Sequence, residues 1–234
     1  MKILGLDSSG LVASVAVLED NNLCAEYTVN FKKTHSQTLL PMLDVIAEMI
    51  QLDLNTVDGI AVAAGPGSFT GLRIGSATAK GLGLALQKPL LAVPTLDALA
   101  YNIFDAKELV CPIMDARRNQ VYTGVYTYEE HQLQVLRESD ALDIHQLIEE
   151  LNQMGREVIF LGDGVAVYRN VIDTELTVPH TYAPVHCNKQ RASAVAALGL
   201  QYMENGKVVS AAEFQPDYLR KSQAEREREE KEKA

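Results

Sequence analysis

The loop Gly65-Pro66-Gly67-Ser68-Phe69-Thr70-Gly71 is the segment best suited to chemistry. It follows an apolar run and opens a helix, so its main-chain N–H groups and the helix N-terminus suit an anion such as a phosphate. It has no Gly-Lys-Ser/Thr of a Walker loop, and Thr70 stands where a G-x-G-x-x-G motif needs its third glycine. The same residues read equally as a tight turn that needs positive φ and close packing. Asp7-Ser8-Ser9, at the end of the first apolar run, is a second turn that suits a phosphate or a metal, or is plain turn chemistry. Asp7, Ser8, Ser9, Gly65, Gly67, Ser68 and Thr70 are therefore the phosphate-loop candidates. Asp115-Ala116-Arg117-Arg118 repeats the pattern of a strand-end aspartate before a polar turn. Its spacing leaves open whether Arg117 and Arg118 meet nucleotide, RNA or a partner. His35, His131, His145, His180 and His186 form no H-x-x-x-H or H-E-x-x-H pattern, and no nucleophile with a base is readable.

The elements that must hold these turns follow an α/β pattern. Lys2–Leu6 reads as a strand, and Val12–Leu18 and Leu23–Phe31 as a hairpin around Glu19-Asp20-Asn21-Asn22. A chain that opens with a hairpin departs from the strand-helix-strand start of a dinucleotide-binding fold. A helix is expected over His35–Leu52, a strand over 59–64, a helix over 72–87, and a strand over 89–93. Thr95 is expected to cap a further helix. Val110–Met114, a turn at 116–120 and Val121–Tyr128 echo the opening and suggest a second related half, although α/β chains also contain such pieces by chance. Further on, a helix over 144–153, a strand over 157–161 and a turn at Gly162-Asp163-Gly164 are expected. Asn188 is expected to cap a helix running to Glu204 and closed by Asn205-Gly206. The resulting division is 1–108, 109–219 and a charged tail, 220–234, that reads as solvated or frayed helix.

The His35–Leu52 helix carries the sharpest inference. At 100° per residue its apolar side chains cover an arc of roughly 220°, against little more than ~100° for a one-sided surface helix. Two faces must therefore be covered. A two-layer domain offers few places for both, so one is assigned to the core and one to a partner, the alternative being a helix buried wholly within the monomer. The helix after the glycine-rich loop repeats Gly71, Gly75, Ala79 and Gly83 four apart, a stripe for close packing. The expected partner interface is His35, Leu39, Met42, Leu43, Ile46, Met49, Leu72, Gly75, Ala79 and Gly83. A charge at Leu39, Ile46 or Gly75 is expected to abolish pairing and leave a folded monomer.

Composition sets the outer limits. The chain has 234 residues, enough for one large or two small domains, with 47% hydrophobic residues and a net charge of −10. Arg220–Lys233 holds six basic and five acidic side chains, which leaves a net of −11 on the rest. So acidic a body repels a phosphate backbone, which sets direct nucleic-acid binding aside as the main activity. No apolar run reaches the ~20 residues of a membrane span. An acid at Asp7 comes too early for a signal peptide. Cys24, Cys111 and Cys187 are too dispersed for a disulfide framework. A cytoplasmic location with reduced thiols is expected.

Together, Ile3-Leu4-Gly5-Leu6-Asp7-Ser8-Ser9, Ser14-Val15-Ala16-Val17, His35-Ser36-Gln37-Thr38-Leu39-Leu40-Pro41, Gly65–Gly75 with Ala79-Lys80-Gly81-Leu82, Asp115–Arg118 with Val121-Tyr122, and Pro216-Asp217-Tyr218-Leu219-Arg220 resemble the TsaB (YeaZ) family. The resemblance spans nearly the whole length, and the GPGSFTGLRIG run is its most specific part. It implies an actin-like ATPase (ASKHA, ribonuclease H-like) α/β fold of two related subdomains. It also implies kinship to TsaD, the catalytic relative, whose metal motif is H-x-x-x-H. In Val93-Pro94-Thr95-Leu96-Asp97-Ala98-Leu99 the two histidine positions hold Thr95 and Leu99. The resemblance therefore implies a non-catalytic scaffold without its own metal or cofactor. Such a subunit would work in the complex that transfers a threonylcarbamoyl group to N6 of adenosine 37 in tRNAs reading codons that begin with A. It implies TsaD, TsaE and a second copy of the chain as partners, with tRNA met only through the complex. Two other readings are a glycoprotease-like metallopeptidase and an actin-like nucleotide-binding protein.

Overall fold

The computed structural model describes residues 1–31 and 38–219. Two five-stranded sheets share one topology. In the first, β1 (Lys2–Asp7), β2 (Ala13–Glu19) and β3 (Asn22–Val29) form an antiparallel meander. On the other side of β1, β4 (Gly59–Gly65) and β5 (Leu90–Pro94) add in parallel, giving the order β3-β2-β1-β4-β5. Helix α1 (Leu39–Met49) connects β3 to β4 by way of a 3-10 turn at Leu54–Thr56. Helix α2 (Phe69–Leu86) connects β4 to β5, and α3 (Thr95–Tyr101) leaves β5.

The second sheet repeats this order. β6 (Leu109–Arg117), β7 (Gln120–Glu129) and β8 (Gln132–Asp143) form the meander, and β9 (Val158–Leu161) and β10 (His180–Tyr182) add in parallel. Helices α4 (Ile144–Met154) and α5 (Gly164–Glu175) take the places of α1 and α2. The echo read at Val110 is thus a repeat of strand order, and Asp7 and Asp115 stand near the ends of equivalent strands.

Alternation along the strands divides the core. Leu4, Leu6, Ile60 and Val62 face α1 and α2, whereas Ile3, Ala61 and Ala63 face the last helix, α6 (Ala192–Glu204). Residues 109–219 were expected to stand as one half, yet α6 lies on the first sheet, against β1, β2, β4 and β5. Close approach explains why it fits there. A Cβ at Gly199 would stand 2.5 Å from the Ala61 Cβ, and one at Gly5 would strike the Ala192 carbonyl. Helix α3 sits between the sheets: Ala98 joins the first core, while Leu96, Leu99 and Ala100 join the second with Val110, Met114 and Tyr126.

Several expectations need correcting. β8 was not expected, because QLQVLRESDALD lacks a clean apolar alternation. Gly162-Asp163-Gly164 is the entry to α5 and not only a turn. Asn188 does not cap α6; Arg191 stands at that position, and the Asn188 carbonyl accepts the Gly162 N–H at 2.8 Å. Pro94, not Thr95, is the cap position of α3. His35 and the tail 220–234 lie outside the described residues.

Candidate functional site

The glycine-rich loop and the first aspartate turn are packed on each other. The Ser68 N–H donates to the Ser9 carbonyl at 2.7 Å, and the Ser8 hydroxyl donates to the Gly71 carbonyl at 2.9 Å. A Cβ at Gly67 would strike the Ser9 carbonyl, and one at Gly71 the Ser8 carbonyl. Gly65, at φ +121°, lies against the Asp217 carbonyl in the same way. Three carbonyl oxygens thus crowd the glycine Cα positions, where they would repel a phosphate oxygen. Loop donors are engaged as well: the Gly65 N–H on Thr95 Oγ1 at 3.2 Å and the Gly71 N–H on the Ser68 hydroxyl at 3.3 Å. Asp7 Oδ1 accepts both the Ser9 N–H at 2.8 Å and the Ser9 hydroxyl at 2.7 Å. Thr70 is exposed at the start of α2. The structure therefore brings all seven phosphate-loop candidates together, and in it the glycines serve close packing.

Thr95 and Leu99 do not fit a metal. Thr95 is fully buried with its hydroxyl on the loop, and Leu99 has no ligand atom and packs in the second core. Among the described residues no three His, Cys, Asp or Glu side chains gather as metal ligands. Asp97, between those two positions, points the other way. It accepts the Tyr126 hydroxyl from β7 at 2.9 Å, across the junction of the two sheets. Burial pushes its carboxyl above the ordinary aspartate value, against the pull of that hydrogen bond. Burial also pushes the Tyr126 hydroxyl well above the ordinary tyrosine value. Sequence reasoning missed this pair, because its partners are 29 residues apart and nothing in the spacing joins them.

In the second half, Asp115 accepts the Arg117 N–H at 2.9 Å and the Tyr168 hydroxyl at 3.3 Å, and its own N–H donates to Asp163 Oδ1 at 3.2 Å. Burial raises the Asp163 carboxyl above its ordinary value. Arg117, Arg118 and Asn119 all adopt positive φ at the hairpin tip, and the Arg117 side chain projects into solvent beside Asp115.

The expected interface residues divide by burial. Leu39, Met42, Leu43 and Ile46 are buried in the first core, and Leu72, Gly75, Ala79 and Gly83 are buried on the inward face of α2. Gly75 faces the Ser8 hydroxyl, and Gly83 faces Leu90 and Ala211. These eight stabilise the chain's own fold, so a charge at Leu39, Ile46 or Gly75 would unfold it and not merely uncouple it. Only Met49 of the described set points outward, at 81% exposure. On α1, Val45 at 41% lies one turn before it and Leu40 at 51% is exposed on the opposite flank, and α2 adds Leu84 at 65%. Ala77, Gly81 and Ala85, four apart, are exposed on α2, and a Cβ at Gly81 would meet nothing within 4 Å. Sequence analysis singled out the inward small-residue stripe; the outward one carries the same four-residue signal.

Comparison with known proteins places this geometry. A family model described as TsaD, tRNA N6-adenosine threonylcarbamoyltransferase, matches residues 23–228. A solved structure named YeaZ from Pseudomonas aeruginosa superposes with a TM-score of 0.79 at 27% identity, over 93% of this chain and 99% of that one. Two sheets of one strand order, each opened by a hairpin, make the protein an α/β member of the actin-like ATPase fold class. The tRNA threonylcarbamoyladenosine biosynthesis protein TsaB of Bacillus subtilis (strain 168) is 33% identical over 225 residues, covering 96% of each chain. The protein of the same name from Escherichia coli (strain K12) is 27% identical over 235 residues, again covering 96% of each. The chain belongs to the TsaB family. All three cysteines are free thiols, and no helix among the described residues is long and apolar enough to cross a membrane.

Proposed function

We propose that this chain is a non-catalytic subunit of tRNA threonylcarbamoyladenosine synthesis in the cytoplasm, a scaffold and activator that pairs with a TsaD relative. Family membership supports the pathway. The observation that carries the scaffold role is the outward face of α1 and α2. Val45, Met49 and Leu84 remain exposed although another side of each helix is already buried in the core. The small residues Ala77, Gly81 and Ala85 allow a partner helix to approach closely. In this reading the chain keeps no metal or cofactor of its own. Thr95 and Leu99 are committed to packing, and the glycine loop is crowded by carbonyls. Transfer to adenosine 37 falls to the partner, tRNA is met only through the complex, and TsaE is the further ATPase partner. The same face serves a homodimer when the partner is absent.

The test is co-purification of the chain with its TsaD relative, alongside modification of unmodified tRNA. Met49→Asp combined with Leu84→Asp is expected to abolish both the complex and the modification while the monomer keeps its thermal midpoint. Undiminished complex formation by a folded double variant would refute the assignment of this face.

A further inference from the structure

We propose that the segment Val209–Leu219 is a brace that positions α2 for its partner, with Tyr218 as the positioning residue. The identity of the partner rests on the reading above; the brace itself does not. The segment runs antiparallel to α2 along its length, about 27 Å for 18 residues. At the C-terminal end of α2, Val209 pairs with Leu90, each N–H donating to the other's carbonyl at 2.9 Å, and extends the sheet past β5. Ala211 then packs under Gly83, and Phe214 is buried in the core shared with α1 and α2. At the N-terminal end, the Asp217 N–H donates to the Ala64 carbonyl at 2.7 Å, and the Asp217 carbonyl lies against Gly65. Tyr218 then places its ring 4.8 Å from that of Phe69, the first residue of α2. The Arg73 guanidinium approaches the same Phe69 ring at 5.4 Å.

The arrangement has a mechanical consequence. The outward residues of α2 present themselves correctly only if the axis of the helix is fixed. Its buried face is largely glycine and alanine and offers little side-chain interlock. Val209, Ala211 and Phe214 hold one end, and the Asp217 hydrogen bond and the Tyr218 ring hold the other. Tyr218 meets α2 through the Phe69 ring in the first turn of the helix, and its effect on pairing passes through α2.

Three chains are compared: wild type, Tyr218→Ala and Tyr218→Phe. Hydrogen exchange is read at the amides of Phe69–Leu72, with those of α1 as internal control. Association with the TsaD relative is read by titration, and global stability by thermal unfolding. Tyr218→Ala is expected to quicken exchange in the first turn of α2 and not in α1. It should also weaken association about three- to thirtyfold, the range of indirect coupling. Tyr218→Phe should restore both, because the ring makes the contact. Unchanged exchange in Tyr218→Ala overturns the proposal. So does quickened exchange with unchanged association, or failure of Tyr218→Phe to rescue. If the wild-type chain binds no TsaD relative, the proposed function falls, and the exchange comparison alone decides the brace.

Discussion

Gly75 and Gly81 lie six residues apart on one helix and should respond to alanine in opposite directions. A helix-interior glycine costs ~1 kcal/mol relative to alanine, so an unhindered replacement gains about that much. At Gly81 nothing stands within 4 Å of an added Cβ. Gly81→Ala is therefore expected to stabilise the monomer by about 1 kcal/mol in urea unfolding. At Gly75 the added methyl meets the Ser8 hydroxyl, which is held on the Gly71 carbonyl. Gly75→Ala is expected to destabilise by about 1–3 kcal/mol, since overpacking outweighs the helix gain. Equal effects from both would show that the inward stripe is not closely packed. The spacing of these glycines was legible in the sequence. Which of them faced the protein was not, because Gly75 and Gly81 differ in what lies across from them and not in type. The same limit applied to the loop. Gly65, Gly67 and Gly71 could be read as a turn or as an anion cradle until their Cα positions were found against the carbonyls of Asp217, Ser9 and Ser8.

Between elements, the clearest dependence is that of α6 on β3. Helix α6 begins without a capping side chain of its own, and its first donors are met from the first sheet. Glu26 Oε1 accepts the Ser193 N–H at 3.0 Å and the Ser193 hydroxyl at 2.6 Å, Glu26 Oε2 accepts Arg191 Nε at 3.1 Å, and Ser14 Oγ accepts the Ala192 N–H at 2.9 Å. Burial pushes the Glu26 carboxyl up, but the Arg191 and Ser193 hydrogen bonds outweigh it and hold the group below its ordinary value of 4.5. A lowered carboxylate stabilises the fold above the unfolded-state value, and that contribution is lost as pH falls through the folded-state value. Glu26→Gln is thus expected to cost about 1–3 kcal/mol at pH 7, and the gap from wild type should narrow between pH 6 and pH 3. A gap that stays constant with pH would remove the carboxylate from the account. This contact spans more than 160 residues and could not be read locally, which is why Asn188 looked like the better cap. β8 escaped for a related reason: its polar sequence is a strand because β7 offers it a register from Gln120–Asp143 to Glu129–Gln132. By contrast α4, with Leu147, Ile148 and Leu151 inward, declared itself through its own period.

At the scale of the whole molecule, the repeat of strand order was visible in two strand-Asp-turn openings, but the joint between the sheets was not. Helix α3 fills that joint with Leu96, Leu99 and Ala100, and its polar link to the second sheet is the bond from Tyr126 to Asp97. An aspartate in this place costs stability when ionised. Its folded-state value is raised, so the penalty is present above that value and is relieved as pH falls toward the unfolded-state value near 3.8. The Tyr126 hydroxyl offsets the penalty by donating to the carboxylate. Removing it leaves the buried charge with less compensation, and Tyr126→Phe should cost about 1–3 kcal/mol at pH 7.5. At pH 4, close to the unfolded-state value, the raised folded-state carboxyl carries more of its proton than it does at pH 7.5, so the cost should shrink. Urea unfolding of wild type and variant at both values tests this. A loss that is the same at pH 4 and pH 7.5 would mean that the hydroxyl matters for packing alone. Because the link joins the two sheets, loosening it should also permit relative motion between them. Increased hydrogen exchange in α3 and β7, without change in α1, is the expected signature, and exchange raised equally in all three would place the effect in global stability instead.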